Sequence, residues 1–424
     1  MIRVKSADRA LLPKGMATLL PEATAVRRSL ERAAFDVFRR WGYEEVITPL
    51  FEYLDVITPG LSPGLAEKAY TVADRGSGRL MVLRPDVTPQ VARMAATLLS
   101  DAPRPMRLCY GANVFRYEDE HAGHEREIFQ LGAELIGDPG PAADAEILAL
   151  AMEVLKTFGL AGITVVIGHV GFFRGWLAAT GASPERASQL EEAVIKRDRT
   201  RLGELLAGER TEHLAGILDL VGDVGVLDRA RDIVDHAESR RALETLKEVS
   251  AQARHYGLAK SLVIDLAEIR GREYYSGLTF ELFADGVGYE VGRGGRYDEL
   301  IGRFGPSSPS TGFAIHVERL QQALDRSPAE RIYGAMDVMV SAPSADRAAI
   351  RLVGELRSRN VRAVLWVAPS SADVVEQARA MNVPWGIARS SPATHVMLTD
   401  TATRRSRRTS LAAAIAAVLA RRPG

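Results

Sequence analysis

One cysteine, Cys109, in 424 residues excludes an internal disulfide and any zinc site built from several thiolates, and it fits a reducing compartment, so the cytoplasm is the expectation. Net charge is also missing. Lys plus Arg number 54, as do Asp plus Glu, so no global field draws the chain to nucleic acid or membrane. Long apolar runs are absent as well: Asp8, Pro13 and Lys14 interrupt the N-terminal stretch before signal length. No later stretch reaches the ~18 uninterrupted apolar residues of a membrane helix. Neither export nor membrane insertion is expected. There is no internal repeat, and no low-complexity tract apart from an Ala-rich end. What remains, 46% hydrophobic and 25% charged residues, describes a globular chain of two or three domains.

The overall neutrality hides an asymmetry. From residue 334 onward there are thirteen arginines and no lysine against six acids, an excess of seven positive charges. Such a basic end suits a nucleic-acid binder. Its bland counterparts are a solvated loop at Arg404, Arg405, Arg407 and Arg408, and a domain kept for packing or assembly.

Val26, Leu30, Ala33, Ala34, Val37 and Phe38 recur at helical spacing, which predicts an amphipathic helix over about 22–41, stopped by Gly42. EEVITPLFE reads as a strand. From 80 to 137 the pattern is strand (RLMVLRP), helix (TPQVARMAATLLS), then two strands around the polar loop EDEHAGHE, a long hairpin. A helix at 142–158 and the strand ITVVIGHV follow. Residues 171–257 read as an almost wholly helical insertion. Strands return at SLVIDLAEI, YYSGLTFELFA and YEVGRGG, the helix HVERLQQALDR closes the unit near 326, and SPAERIYGA is a linker. Residues 334–424 alternate strands and helices, as expected of a small α/β domain.

Four polar constellations stand out. The first is Arg84-Pro85-Asp86-Val87-Thr88-Pro89-Gln90. Thr88 as a helix N-cap with Pro89 behind it explains part of this, but not a carboxylate, Asp86, at a strand end where it could hold an ammonium. The second, Arg116, Glu118, Arg126, Gln130 and Glu134, spreads over the hairpin. In an unbroken strand Arg126, Gln130 and Glu134 share one face, either a ligand surface or a solvated one. The third and fourth are Arg270-Gly-Arg-Glu-Tyr274-Tyr275-Ser-Gly277 and Gly292-Arg-Gly-Gly-Arg-Tyr297-Asp298. Neither has phosphate-loop or dinucleotide spacing. His121 and His124 lack the spacing of a helical zinc motif, so no metal is expected.

In this order the four constellations resemble histidyl-tRNA synthetase across nearly the whole chain. GYEEVITPLFE is similar to class II synthetase motif 1, whose proline belongs to a dimer interface. FRYE through AELIG is similar to motif 2 and GFAIHVERL to motif 3, while IRGREYYSG resembles the histidine signature that family writes with RGLDYY. The resemblance implies an α+β fold: a class II synthetase-like antiparallel sheet core over 1–326 with the helical insertion, plus a C-terminal domain over 334–424 like an anticodon-binding domain. It also implies a histidine pocket. Asp86 and Thr88 would hold the amino group with Gln130 assisting, and Glu134 would accept from the imidazole. Arg116 and Arg270 would face the carboxylate or phosphate side, and Tyr274 and Tyr275 would close the pocket.

Departures from that pattern point to a non-catalytic relative. The motif 2 loop reads Glu118-Asp-Glu-His-Ala-Gly-His124 where synthetases have E-R-P-Q-x-G-R, which puts acid where phosphates must approach. His316 stands where motif 3 has glycine, and Asp86 replaces a glutamate. These features, with RPDVTPQVARMAA and AADAEILALAMEVL, resemble the regulatory subunits of the two-component ATP phosphoribosyltransferases. The resemblance implies a short catalytic subunit as partner, L-histidine as ligand, a homodimer within a hetero-oligomer, no cofactor and no tRNA. Arg116, Arg270 and Arg319, which catalysis would use, keep an active histidyl-tRNA synthetase as the alternative. A paralogue binding tRNA or another protein is a third.

Overall fold

The computed structural model describes residues 12–117, 125–207, 212–269, 271, 273–324, 336–342, 347–367, 371–381, 383–389 and 395–420. The linker SPAERIYGA, the acidic hairpin loop with Glu118, His121 and His124, and Arg270 lie outside these residues. The chain divides into two compact units, one of Met1–Thr18 with Arg27–Pro328 and another of Leu19–Val26 with Ala329–Gly424.

A first helix, Pro21–Arg40, buries Leu30, Ala34, Val37 and Phe38, the i, i+4, i+7, i+8 stripe of its sequence. Gly42 ends it with φ +76°, a conformation glycine adopts without strain. The strands of the first unit are β1 (Glu44–Glu45), β2 (Phe51–Tyr53), β3 (Thr71–Ala73), β4 (Leu80–Leu83), β5 (Met106–Phe115) and β6 (Glu127–Ile136). After these come β7 (Thr164–His169), β8 (Val221–Gly222), β9 (Leu262–Asp265), β10 (Leu278–Phe283), β11 (Gly292–Arg296) and β12 (Ser310–His316). Nine form one sheet in the order β1-β5-β6-β12-β11-β10-β7-β9-β8. Its neighbours are antiparallel except for β1 with β5 and β7 with β9. The remaining three make a small antiparallel sheet in the order β2-β4-β3.

EEVITPLFE is therefore not one strand. It pairs for two residues with β5 and resumes at Phe51 in the other sheet. Between the two, Thr48 and Pro49 are tied to Gln90, whose amide accepts from Thr48 Oγ1 at 2.7 Å and donates to the Pro49 carbonyl at 2.8 Å. Pro49 has no ladder donor to offer.

Strand β6 is buried along nearly its whole length, as a central strand covered on both faces must be, so its sequence does not alternate. The helix Thr88–Thr97 lays Val91, Ala92 and Ala95 with Leu108, Tyr110 and Val114 of β5 in one core cluster, which brings the helix N-terminus over the sheet. The helix Pro141–Thr157 packs against β12 and the helix Ala237–His255. The insertion is helical as expected, at Val170–Ala179, Pro184–Ile195, Arg199–Leu205, Val226–Ile233 and Ala237–His255, with the short β8 adding a sheet edge. No helix among the described residues is long and apolar enough to cross a membrane.

In the C-terminal unit β13 (Val338–Ala342), β14 (Ala363–Val367), β15 (Trp385–Arg389), β16 (His395–Asp400) and β17 (Ser406–Ser410) are ordered β14-β13-β15-β16-β17. The first three are parallel and the last two antiparallel. Helices Arg347–Ser358, Ser371–Ala380 and Leu411–Ala420 accompany them. The basic run read as a loop is a loop only at Arg404 and Arg405. Arg407 and Arg408 belong to β17, whose registry with Leu398 and Met397 of a buried strand extends the sheet.

Candidate ligand-binding site

Pairing across the main sheet fixes which side chains share a face. On β6, Gln130 and Glu134 are four residues apart and point the same way. Glu134 is level with Leu108 of β5 and Gly312 of β12, Gly132 with Tyr110 and Ala314, and Gln130 with Ala112 and His316. One strand further, Arg293 of β11 is level with Ala314. The face thus carries Tyr110, Gln130, Glu134, His316 and Arg293. The glycines make it passable: a Cβ at Gly132 would overlap the Tyr110 hydroxyl, and one at Gly312 would overlap Glu134 Oε2. Gln130 and Glu134 are 2% and 1% exposed, which removes the solvated-face reading.

Three hydroxyls converge on Glu134. Thr88 Oγ1 and Tyr110 OH donate to Oε1 at 2.8 and 3.2 Å, and Tyr297 OH donates to Oε2. Burial pushes its carboxyl up to about 8, against the pull of those three hydrogen bonds, and neighbouring Asp86 adds to the rise. Thr88 is not the N-cap that its sequence suggests. Val87 precedes the helix with helical backbone angles and no side-chain capping bond, so Thr88 is the first helical residue and its hydroxyl is spent on Glu134.

Beside this cluster Asp86 Oδ1 accepts from the Val87 N–H at 2.8 Å, and Asp86 Oδ2 lies 3.5 Å from Arg116 Nη2. Arg116 Nε donates to the Pro85 carbonyl at 2.7 Å. Gln130, its amide turned to suit both neighbours, donates to Asp86 Oδ1 and accepts from Arg116 Nη2, each at 3.2 Å. His316 Nε2 lies 3.5 Å from that amide, and burial, then Arg116, Arg319 and Arg293, hold the imidazole neutral, well below its ordinary range.

Tyr274 stacks edge-on against Tyr275 at 5.1 Å and leans on Tyr297 at 5.5 Å. Its hydroxyl is buried without a hydrogen-bond partner among the described residues, as is His316 Nδ1. Orphaned polar atoms at one face mark room for a polar ligand.

Of the eight predicted site residues, Asp86, Thr88, Arg116, Gln130, Glu134, Tyr274 and Tyr275 come together, and Arg270 lies outside the described residues. Arg126 does not extend the face. It precedes β6 and its guanidinium covers the Tyr117 ring at 4.6 Å. Sequence reasoning left Tyr110 and Tyr297 out of the site. Tyr297 was signalled by its place after the GRGGR strand, and Tyr110 only by a register that pairing defines. A depression of about 480 Å³ lined by Leu54, Asp55, Thr58, Pro59, Arg79 and Leu80 shares no residue with the site, and its open, unconverged lining gives it less chemistry.

This sheet, with a buried carboxylate ringed by hydroxyls on its central strand, defines a class II synthetase-like protein of the histidyl type, and the histidyl-tRNA synthetase family model matches residues 15–320. Within that class the chain belongs to the ATP phosphoribosyltransferase regulatory subunit family. The regulatory subunit of Syntrophotalea carbinolica is 38% identical over 404 residues, covering 94% of this chain and 92% of that one. That of Geobacter sulfurreducens is 38% identical over 381 residues, 88% and 87% of the two chains. Among solved structures, an ATP phosphoribosyltransferase regulatory subunit/histidyl-tRNA synthetase from Bacillus halodurans superposes with a TM-score of 0.78 at 28% identity, over 87% of this chain and 95% of that one. Histidyl-tRNA synthetase from Nostoc superposes equally well, TM-score 0.78, at 20% identity over 97% and 99%. That likeness is one of fold.

Proposed function

We propose that this chain is the cytoplasmic, non-catalytic partner of the short catalytic subunit of ATP phosphoribosyltransferase, and that it carries feedback by histidine on the first step of histidine biosynthesis. The observation that carries this reading is likeness to regulatory subunits over almost the full chain. In the pocket, Glu134 receives the imidazole N–H and Asp86 the ammonium. Arg116 faces the carboxylate, an end to which the family resemblance also assigns Arg270, Gln130 bridges Asp86 to Arg116, and Tyr274 and Tyr275 cover the ligand. Histidine biases the partner only through a difference in affinity between the active and inhibited assemblies. The core over 1–326 forms the homodimer within the hetero-oligomer, and the domain over 334–424 serves assembly.

The test is phosphoribosyl-ATP formation by the catalytic subunit alone, with this chain, and with histidine added. Activation that histidine reverses is the expected result. Arg116 and Arg319 favour one other reading, an active histidyl-tRNA synthetase, and histidine-dependent exchange between ATP and pyrophosphate by this chain alone would establish it.

A further inference from the structure

Beyond Glu134, on β10, β11 and the helix Val317–Leu324, two arginines are already matched by the chain's own carboxylates. Glu290 Oε1 lies 2.7 Å from Arg319 Nη1 and also pairs with Arg293 Nη2. Arg319 Nη1 donates to the Glu290 carbonyl oxygen at 2.7 Å, and its guanidinium stands 5.2 Å from the centre of the Tyr289 ring. Glu281 faces Arg293 across the β10–β11 pair, with 4.0 Å between Oε1 and Nη2.

These groups lie along the same face of the sheet as the Glu134 cluster. Arg293 shares the face of Gln130 and Glu134 through Ala314 and Gly132. Tyr275 lies in the field of Arg293 and Glu281 as well as of Asp86 and Glu134, and His316 in that of Arg116, Arg319 and Arg293. Two guanidiniums on this face without counter-charge would make an anion site, because their forks suit phosphate oxygens.

We propose that Glu290 acts as a built-in anion: by occupying Arg319 and Arg293 it reserves the site for a zwitterionic amino acid and excludes ligands that carry phosphate. The two carboxylates cancel the two guanidiniums. An incoming phosphate must displace a mostly buried Glu290 or bear the repulsion of both acids. Burial opposes ionisation of Glu290, yet Arg293 and Arg319 outweigh it and hold the carboxyl at about 2, so it stays charged throughout the neutral range. A histidine sensor beside an enzyme that consumes ATP needs this discrimination, since its pocket would otherwise fill with nucleotide. This deepens the amino-acid reading of the pocket, but phosphate exclusion can be measured without it.

The experiment is titration calorimetry of the full chain with pyrophosphate, with ATP and, separately, with histidine. Unaltered protein is expected to take up neither phosphate ligand at about 1 mM, while Glu290→Gln gains at least about tenfold in affinity for both and loses the gain when Arg319→Gln is added. Because Glu290→Gln leaves two guanidiniums without their carboxylate, Glu290→Asp serves as a second variant. It keeps the charge, falls one methylene short of Arg319, and should show a smaller gain. Submillimolar ATP binding by unaltered protein would overturn the proposal, as would absence of gain in either variant that still melts cooperatively. Absent histidine heat with the phosphate results as expected would sink the amino-acid reading alone.

Discussion

Thr88 Oγ1 donates to Glu134 Oε1 at 2.8 Å, joining the first residue of a helix to the central strand of the sheet. With Tyr110 and Tyr297 also donating, Glu134 is an acceptor for three hydroxyls; burial holds it largely protonated at neutral pH, and a ligand N–H, as a fourth donor, favours the ionised form. Glu134→Gln supplies one acceptor oxygen and turns an NH2 toward a donor. Histidine affinity, read by calorimetry, should fall by ~1.5–3 kcal/mol. Unchanged affinity would remove Glu134 from histidine recognition.

The same carboxyl sets a pH dependence. Its folded-state value, raised to about 8 mainly by burial, exceeds the ordinary glutamate value of ~4.3. Between these the native state binds more protons than the unfolded chain, so stability falls as pH rises from about 4.3 to about 8, by on the order of 3–5 kcal/mol for this group. Thermal melts across that range should lose less stability in Glu134→Gln than in the unaltered protein. Parallel slopes would mean that the carboxyl is solvated.

Tyr274 separates packing from recognition. Its ring contacts Tyr275 and Tyr297, but its buried hydroxyl finds no hydrogen-bond partner among the described residues. Tyr274→Phe keeps the ring, so stability in urea should change by less than about 0.5 kcal/mol or rise. If the hydroxyl meets the ligand, histidine affinity drops by ~0.5–1.5 kcal/mol. A loss of stability without a loss of affinity would make Tyr274 a structural residue.

Most strands, the long hairpin and the helical insertion were legible because periodicity and turn residues are local; the short β3 and β8 were not, nor was β12, whose last residue His316 reads as the start of a helix. The site was legible only in part, because its partners are set by register. Tyr110 joins Glu134 through the pairing of Gly132 with Tyr110, which no spacing along one strand reveals. Thr88 looked like a cap for an equally local reason, since a threonine before proline at a helix start has a ready capping role. Its hydroxyl was drawn instead by a carboxylate 46 residues away. Glu290 carried no signal at all, because it stands two residues before β11 and its partners lie on that strand and on a following helix.

Cys109 gives an independent check on β5. It is buried, and burial, with Glu45 adding repulsion, pushes its thiol up to about 12. Almost no thiolate exists at neutral pH. A thiol reagent should therefore label none of the native protein quickly and one thiol per chain in denaturant, with a native rate that tracks opening of the sheet. Rapid native labelling would mean that β5 is exposed in solution.

Arg296 and Asp144 bear on the site from behind. Arg296 Nε donates to both Asp144 oxygens at 3.1 Å, and its other nitrogens donate to the Asp138 and Gly140 carbonyls at 3.0 and 3.1 Å. The pair locks β11 to the helix Pro141–Thr157, one residue before Tyr297, whose hydroxyl holds Glu134. Arg296→Ala leaves Asp144 buried and unpaired, at an expected cost of ~3–5 kcal/mol. Replacing both residues, as in Arg296→Met with Asp144→Leu, should recover most of that loss in urea unfolding, because two buried charges are then gone together. Histidine affinity should stay low in the double variant, since Tyr297 no longer follows an anchored residue. Recovery of affinity along with stability would mean that Tyr297 is positioned by its own packing alone.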